Sequence, residues 1–218
     1  MLSKVILIDF DGTIANSLPV LFTVYSNIVE DLGGIPSKKE FEDLNGPSLA
    51  EIAAILLKRY PSKMHNKELL NLYQETLREA YNGLTPFPGT KDFLRKAMTL
   101  NFRMGIVTSA YRRLVVDFLE KYELNSYFSG IYTSDNVERA KPNPDLYTYA
   151  LKMMKIESKD CVVIEDSNHG LKSAINAGIE CRWQIHVAKS NLAIPIKSWS
   201  EATSRLDSLL PRGKAHLP

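Results

Sequence analysis

Four short, continuous apolar runs punctuate this chain, at 4–8, 102–107, 130–132 and 161–164, each bounded by turn or charged residues. They do not alternate with polar residues, and β-branched or apolar character on every position marks strands buried on both faces of a parallel sheet. Between them the apolar residues fall at helical spacing: Phe93, Leu94, Ala97 and Met98; Leu114, Val115, Phe118, Leu119 and Tyr122; Tyr147, Ala150, Leu151 and Met154; Leu171, Ala174 and Ile175. Each set forms one buried stripe. Strands and helices in this alternation predict right-handed crossovers and an α/β doubly wound parallel sheet, with any ligand at the carboxyl ends of the strands.

Residues 16–85 break the alternation, because they carry helical patterns and no convincing strand. They are expected to form an inserted all-α cap, with 1–15 and 86–218 as the α/β core. Pro19 opens a helix striped by Val20, Leu21, Val24, Tyr25, Ile28, Val29 and Leu32, and Gly33 and Gly34 close it. Ser37 with Glu40 and Ser48 with Glu51 each fit a capping box and predict two further helix starts. A fourth helix is expected over 67–81, and the turn-rich stretches 16–19 and 85–88 suit a hinge. Toward the C-terminus a helix is expected over 200–210, stopped by Pro211, with 212–218 frayed.

Lysine and arginine exceed aspartate and glutamate by a formal charge of only +2, and no long run of like charge occurs, so electrostatics calls for no nucleic acid. The apolar stretch before Asp9 is too short for a membrane span or signal peptide. Cys161 and Cys181 read as reduced core thiols, and a cytoplasmic location is expected.

The chemistry-bearing residues follow the apolar runs. Asp9 and Asp11 come directly after the first, and at i and i+2 their carboxylates share one face if the extended geometry persists. Two like charges at 4 Å repel by roughly 4 kcal/mol at an effective dielectric near 20. A hard divalent cation compensates them, and magnesium suits a few carboxylates with waters and a phosphate. Zinc is disfavoured, since no His and Cys cluster has ligand spacing. Taken alone, the pair also suits a turn and cap before Gly12, the weaker of the two readings. Thr108-Ser109 ends the second run, where a hydroxyl can cap the next helix and the helix amides can hold a phosphate oxygen. Lys141 in Lys-Pro-Asn-Pro-Asp supplies a point charge able to join a phosphate to a carboxylate, although an isolated lysine is usually a solvated one. Glu165-Asp166 follows the last run, and adjacent acids after a buried strand are costly without a cation or donors.

The joint order of these four elements resembles the haloacid dehalogenase-like superfamily, in its phosphatase and phosphomutase branch with a helical cap, over nearly the whole chain. The resemblance implies that Asp9 is the nucleophile and Asp11 the general acid and base. It implies that Thr108, Ser109 and Lys141 bind the transferring phosphoryl group. Magnesium would be held by Asp9, the backbone carbonyl of Asp11 and Asp166, with Glu165 ligating or supporting it. Asp11 favours phosphoryl transfer, because the dehalogenases of this superfamily lack an acid there.

The substrate expected is a small-molecule phosphate ester; phosphoglycolate, sugar phosphates and nucleotides stay open. Asn45 and Gly46, in the turn between two expected cap helices, are the candidates for substrate contact, and an ordinary helix connection is an equal reading. A β-phosphoglucomutase-like reading is weaker, because Leu21 and Leu49 stand where those mutases carry a hinge histidine and a cap arginine. A phospho-receiver module places its phosphorylated aspartate after a middle strand and has no insert, so order and length oppose it. A catalytically dead binding protein would usually lack a motif residue, and none is missing.

Overall fold

The computed structural model describes residues 5–209. In chain order these form β1 (Val5–Ile8), α1 (Leu18–Asp31), α2 (Lys38–Asp43), α3 (Leu49–Arg59), α4 (Asn66–Tyr81), α5 (Thr90–Thr99), β2 (Arg103–Val107), α6 (Arg112–Lys121), β3 (Phe128–Tyr132), α7 (Asp145–Met154), β4 (Cys161–Glu165), α8 (Asn168–Asn176), β5 (Cys181–Ile185), β6 (Ile194–Ile196) and α9 (Trp199–Arg205). The strands make one sheet in the order β3-β2-β1-β4-β5-β6, with every neighbouring pair parallel. From β1 the chain winds first to β2 and β3 and then back to β4, β5 and β6, so the carboxyl end of β1 is the switch point where such sheets hold ligands.

Alternation of side chains across the strands divides the core in two. Ile6, Ile8, Met104, Ile106, Val162, Ile164, Trp183 and Ile185 join the cluster containing Phe93 of α5, Phe118 of α6 and Trp199 of α9. Val5, Leu7, Val107, Cys161 and Val163 face the opposite cluster, with Tyr147 and Met154 of α7 and Ala174 of α8. Helices therefore cover both faces, and β1 is buried along its whole length. This is the doubly wound α/β architecture that the apolar runs imply.

Two strands escape the pattern of apolar runs. In β5 Arg182 and Gln184 interrupt the apolar residues, yet both are held by backbone carbonyls: Arg182 Nε donates to Leu192 O at 3.1 Å and Gln184 Nε2 to Asp166 O at 2.9 Å. In β6 Pro195 is tolerated because the strand is at the sheet edge. The C-terminal helix is shorter than expected, ending at Arg205 in a tighter turn over Leu206–Leu209. Its expected end at 210–211 and the fraying expected over 212–218 lie outside the described residues.

Between β1 and α5 the described chain is helical only. It leaves and rejoins the sheet region at one point, where Asn16 N donates to Thr85 O at 3.0 Å and Ala15 bridges Pro86. Ser48 and Glu51 close the full capping box expected of them. The pattern at Ser37 and Glu40 is only half realised: Ser37 Oγ accepts from Glu40 N, but the Glu40 side chain turns inward. There, 5% exposed, it accepts from Tyr25 Oη at 2.7 Å, Tyr60 Oη at 2.7 Å and Arg59 Nη1 at 2.5 Å, tying α1, α2 and α3 together. Burial disfavours the charge, but the hydrogen bonds from Tyr25, Tyr60 and Arg59 outweigh it and hold Glu40 below the usual 4.5.

A depressed carboxyl pKa contributes stability above the unfolded value, lost as pH falls through the folded one. Glu40→Gln is therefore expected to cost about 1–3 kcal/mol at pH 7, read as a lower urea midpoint. The difference from the parent protein should shrink as pH falls below 4.5. A gap unchanged between neutral pH and pH 3 would contradict the assignment.

Candidate active site

The site begins where β1 ends. Asp9 N donates to Ile164 O at 2.9 Å, carrying the β1–β4 ladder one residue further and setting the Asp9 carboxylate at the carboxyl end of the sheet. Phe10 then anchors the turn, stacked on Tyr81 at 6.4 Å between centroids and edge-on to Phe118 at 5.1 Å. Its carbonyl accepts the amides of Ile14 and Ala15, each at 2.9 Å. Gly12 has φ +75°, and a Cβ there would fall 2.1 Å from Asp166 Oδ2. The two acid-bearing loops therefore meet only because position 12 has no side chain.

Lys141, 3% exposed, lies between them. Its Nζ donates to Asp9 Oδ1 at 2.6 Å, Glu165 Oε1 at 2.5 Å and Val107 O at 2.9 Å. Thr13 Oγ1 donates to Asp9 Oδ2 at 3.0 Å, and Tyr147 Oη to Glu165 Oε1 at 2.7 Å. Gly170 makes room for Glu165, since a Cβ there would fall 2.0 Å from its carboxyl. Burial works against the Lys141 charge, but the carboxylates of Asp9 and Glu165 prevail and push its pKa upward. The acids are less well served. Burial first, then repulsion from Asp9, raises Glu165 and lifts Asp166 well above the ordinary aspartate range.

Asp9, Glu165 and Asp166 offer ligand oxygens all within 4.8 Å of one another. One lysine faces this excess of acid, and the Asp166 carboxylate receives no hydrogen bond among the described residues. Oxygen-only donors with uncompensated negative charge fit a hard divalent cation such as magnesium. Glu165 is already committed to Lys141, Tyr147 and, at 3.3 Å, Ser167 Oγ, so Asp9 and Asp166 have the oxygens best placed for an ion.

The Asp11 carboxyl stands apart from that cluster and accepts a hydrogen bond at Oδ1 from Tyr81 Oη, at the end of α4. Burial pushes its pKa up to about 6, with hydrogen bonds from Tyr81 and Ser17 acting against the rise. Thr108, Ser109, Asn45 and Gly46 line the same cavity as Asp9, Asp11 and Lys141. Neither hydroxyl caps the following helix as the sequence suggests: Thr108 Oγ1 accepts from Ala110 N at 3.1 Å, α6 starts only at Arg112, and its first amide donates to Asp135 Oδ2 at 2.7 Å. Ser109 Oγ instead donates to Gly46 O, across to the turn between α2 and α3. Gly46, at φ +143°, packs against His169, where a Cβ would lie 2.5 Å from the imidazole-bearing carbon.

Sequence reasoning missed Thr13, Tyr81, Tyr147 and Gln184. Thr13 sits two residues beyond Asp11; Tyr147 sits on a helical stripe and reads as a core residue, and Tyr81 reads only as the end of the fourth expected helix.

The fold and site define a hydrolase of the haloacid dehalogenase type: the sequence pattern described as Haloacid dehalogenase-like hydrolase matches residues 6–183. The chain belongs to that family, and its relatives place it among the phosphoric monoester hydrolases. It is 28% identical over 179 residues to YhcW of Bacillus subtilis, which bears a phosphatase name, covering 82% of this chain and 81% of that protein. It is 25% identical to the phosphorylated carbohydrates phosphatase of Thermotoga maritima, over 81% of this chain and 82% of that one. Among solved structures, CbbY of Rhodobacter sphaeroides in complex with phosphate superposes with a TM-score of 0.78 at 22% identity, over 91% of this chain and 95% of that chain, which speaks for the fold.

Removing the Lys141 ammonium leaves Asp9 and Glu165 buried without their cation. Lys141→Ala is expected to lower the unfolding free energy at neutral pH by about 3–5 kcal/mol, measured by urea denaturation. An unchanged midpoint would show that the acids do not depend on it.

Proposed function

We propose that this protein is a magnesium-dependent phosphatase that hydrolyses a small organic phosphate monoester through a phosphoryl group carried on Asp9. The observation that supports this most is the meeting of Asp9, Glu165 and Asp166 oxygens within 4.8 Å beside the buried Lys141. Asp9 and Asp166, with Glu165 in support and the Asp11 backbone as a further donor, would hold magnesium, which when bound offsets the charge of the phosphoryl oxygens.

The chain's own groups account for the rest. Lys141 fixes the Asp9 carboxylate through Oδ1 and Thr13 fixes it through Oδ2, so the nucleophile is oriented before substrate arrives. Attack by an Asp9 oxygen on phosphorus breaks the ester P–O bond, and the bonding pair leaves with the alcohol oxygen. Asp11 supplies the proton. Tyr81 occupies Oδ1, leaving Oδ2 to carry that proton, and a carboxyl lifted to about 6 by burial holds one near neutral pH more often than an ordinary aspartate. Water then attacks phosphorus, Asp11 takes its proton back, and Asp9 is restored as inorganic phosphate departs. Thr108 and Ser109 would hold the phosphoryl oxygens.

The helices α1–α4 over 16–85 would act as a cap that excludes water. The hydrogen bond from Ser109 Oγ to Gly46 O and the packing of Gly46 against His169 support a cap that closes on the core. Hydrolysis is favoured over a mutase reaction because Leu21 and Leu49, where the resembling mutases place a histidine and an arginine, both line the cavity. No described helix is long and apolar enough to cross a membrane, and a cytoplasmic setting is proposed from the cysteine pattern.

With p-nitrophenyl phosphate and magnesium the protein is expected to release nitrophenol, and Asp9→Asn to reduce kcat by about a thousandfold or more. Asp166→Asn should instead raise the magnesium concentration needed for half-maximal rate by about ten- to a hundredfold. Turnover by Asp9→Asn at near-parental rate would refute the nucleophile.

A further inference from the structure

The helical segment gives the cavity an apolar wall. Leu21, Phe41, Leu49, Ile52, Tyr73 and Leu77 line it from the helical segment. Lys141 is the sole cation among the described lining residues, and its Nζ is already shared by Asp9, Glu165 and Val107 O. A carboxylate on the leaving group would therefore enter this chamber without a counter-ion. Sugar hydroxyls would fare little better. Tyr81 is spent on Asp11 and Tyr111 Oη donates to Gln74 O at 3.1 Å, so on the helical side of the cavity the side chains of Asn45 and Tyr73 are the polar groups left for a ligand among the described residues.

One of them is unusual. Tyr73, in α4, is 5% exposed and lines the cavity, yet its hydroxyl makes no hydrogen bond among the described residues. Its oxygen is not sealed from solvent, so it is available to hydrogen-bond a ligand atom in place of water. The cavity volume is about 110 Å³, room for about four waters at roughly 30 Å³ each. That suits a phosphoryl group with a short alcohol and is tight for a hexose or a nucleoside.

Resting on the phosphatase reading above, we propose that the substrate is the phosphate monoester of a compact, uncharged, mainly apolar alcohol that has a single hydrogen-bonding atom remote from the phosphate, met by the Tyr73 hydroxyl. The apolar body is recognised by the leucine, isoleucine and phenylalanine wall, and the remote polar atom by Tyr73. Carboxylated and polyhydroxylated esters are rejected, because their polar groups would be left unpaired in the chamber.

The test is kcat/KM, with magnesium, for methyl, ethyl, propyl and butyl phosphate, 4-hydroxybutyl phosphate, phosphoglycolate, glucose 6-phosphate and p-nitrophenyl phosphate. The rate constant should rise about three- to fourfold per methylene from methyl to butyl phosphate. Phosphoglycolate and glucose 6-phosphate should fall at least about tenfold below butyl phosphate. Tyr73→Phe should lower kcat/KM for 4-hydroxybutyl phosphate about fivefold more than for butyl phosphate. Preference for phosphoglycolate or glucose 6-phosphate, a flat response to chain length, or an equal Tyr73→Phe effect on the two butyl esters would overturn the proposal while leaving the phosphatase standing. Failure to hydrolyse any ester, p-nitrophenyl phosphate included, would overturn both.

Discussion

The ammonium of Lys141 is the contact on which the site depends. It reaches from the loop before α7 to acids at the ends of two different strands, Asp9 after β1 and Glu165 closing β4, and to the last carbonyl of β2. Without it two buried carboxylates from adjacent strands would face each other in a medium that magnifies their repulsion. With it the charge is balanced only in part: the Asp166 carboxylate has no donor among the described residues, and its pKa is lifted by burial and by Asp9. A lysine that gathers the acids and an acid left over are together the conditions for binding a divalent cation beside a phosphoryl group.

The sheet supplies the convergence. Parallel strands β2, β1 and β4 all end on one side, so residues far apart in sequence, 9, 108 and 165, arrive at one crevice by topology alone. Glycines 12 and 170 then allow the acid loops to close to contact, since a side chain at either would overlap Asp166 or Glu165. Tyr81 links this crevice to α4, so the acid proposed to move protons is held by the same helix that supplies Tyr73 to the chamber. One hydrogen bond thus joins the helical segment to Asp11.

Much of the fold was legible because burial on both faces leaves a plain mark: β1 and β4 are unbroken apolar runs, and α1, α4, α6 and α7 repeat apolar residues at helical spacing. β5 was illegible because Arg182 and Gln184 find backbone carbonyls rather than solvent, a compensation that composition does not record. The acids and Lys141 drew attention because the acids follow apolar runs and Lys141 opens a proline-set turn. Tyr81 and Tyr147 could not, because a tyrosine on a buried stripe looks the same whether its hydroxyl meets a carboxylate or a carbonyl. Glu40 shows the converse: its position three residues after Ser37 suggests a cap, while three donors brought by α1 and α3 draw it inside.

The central claim is that Asp9 carries the phosphoryl group. An Asp11→Asn protein, lacking the proposed base for the second step, mixed with p-nitrophenyl phosphate and magnesium and quenched in acid, should yield a phosphorylated peptide that maps to Asp9 by mass spectrometry. A phosphoryl group on any other residue would contradict the account.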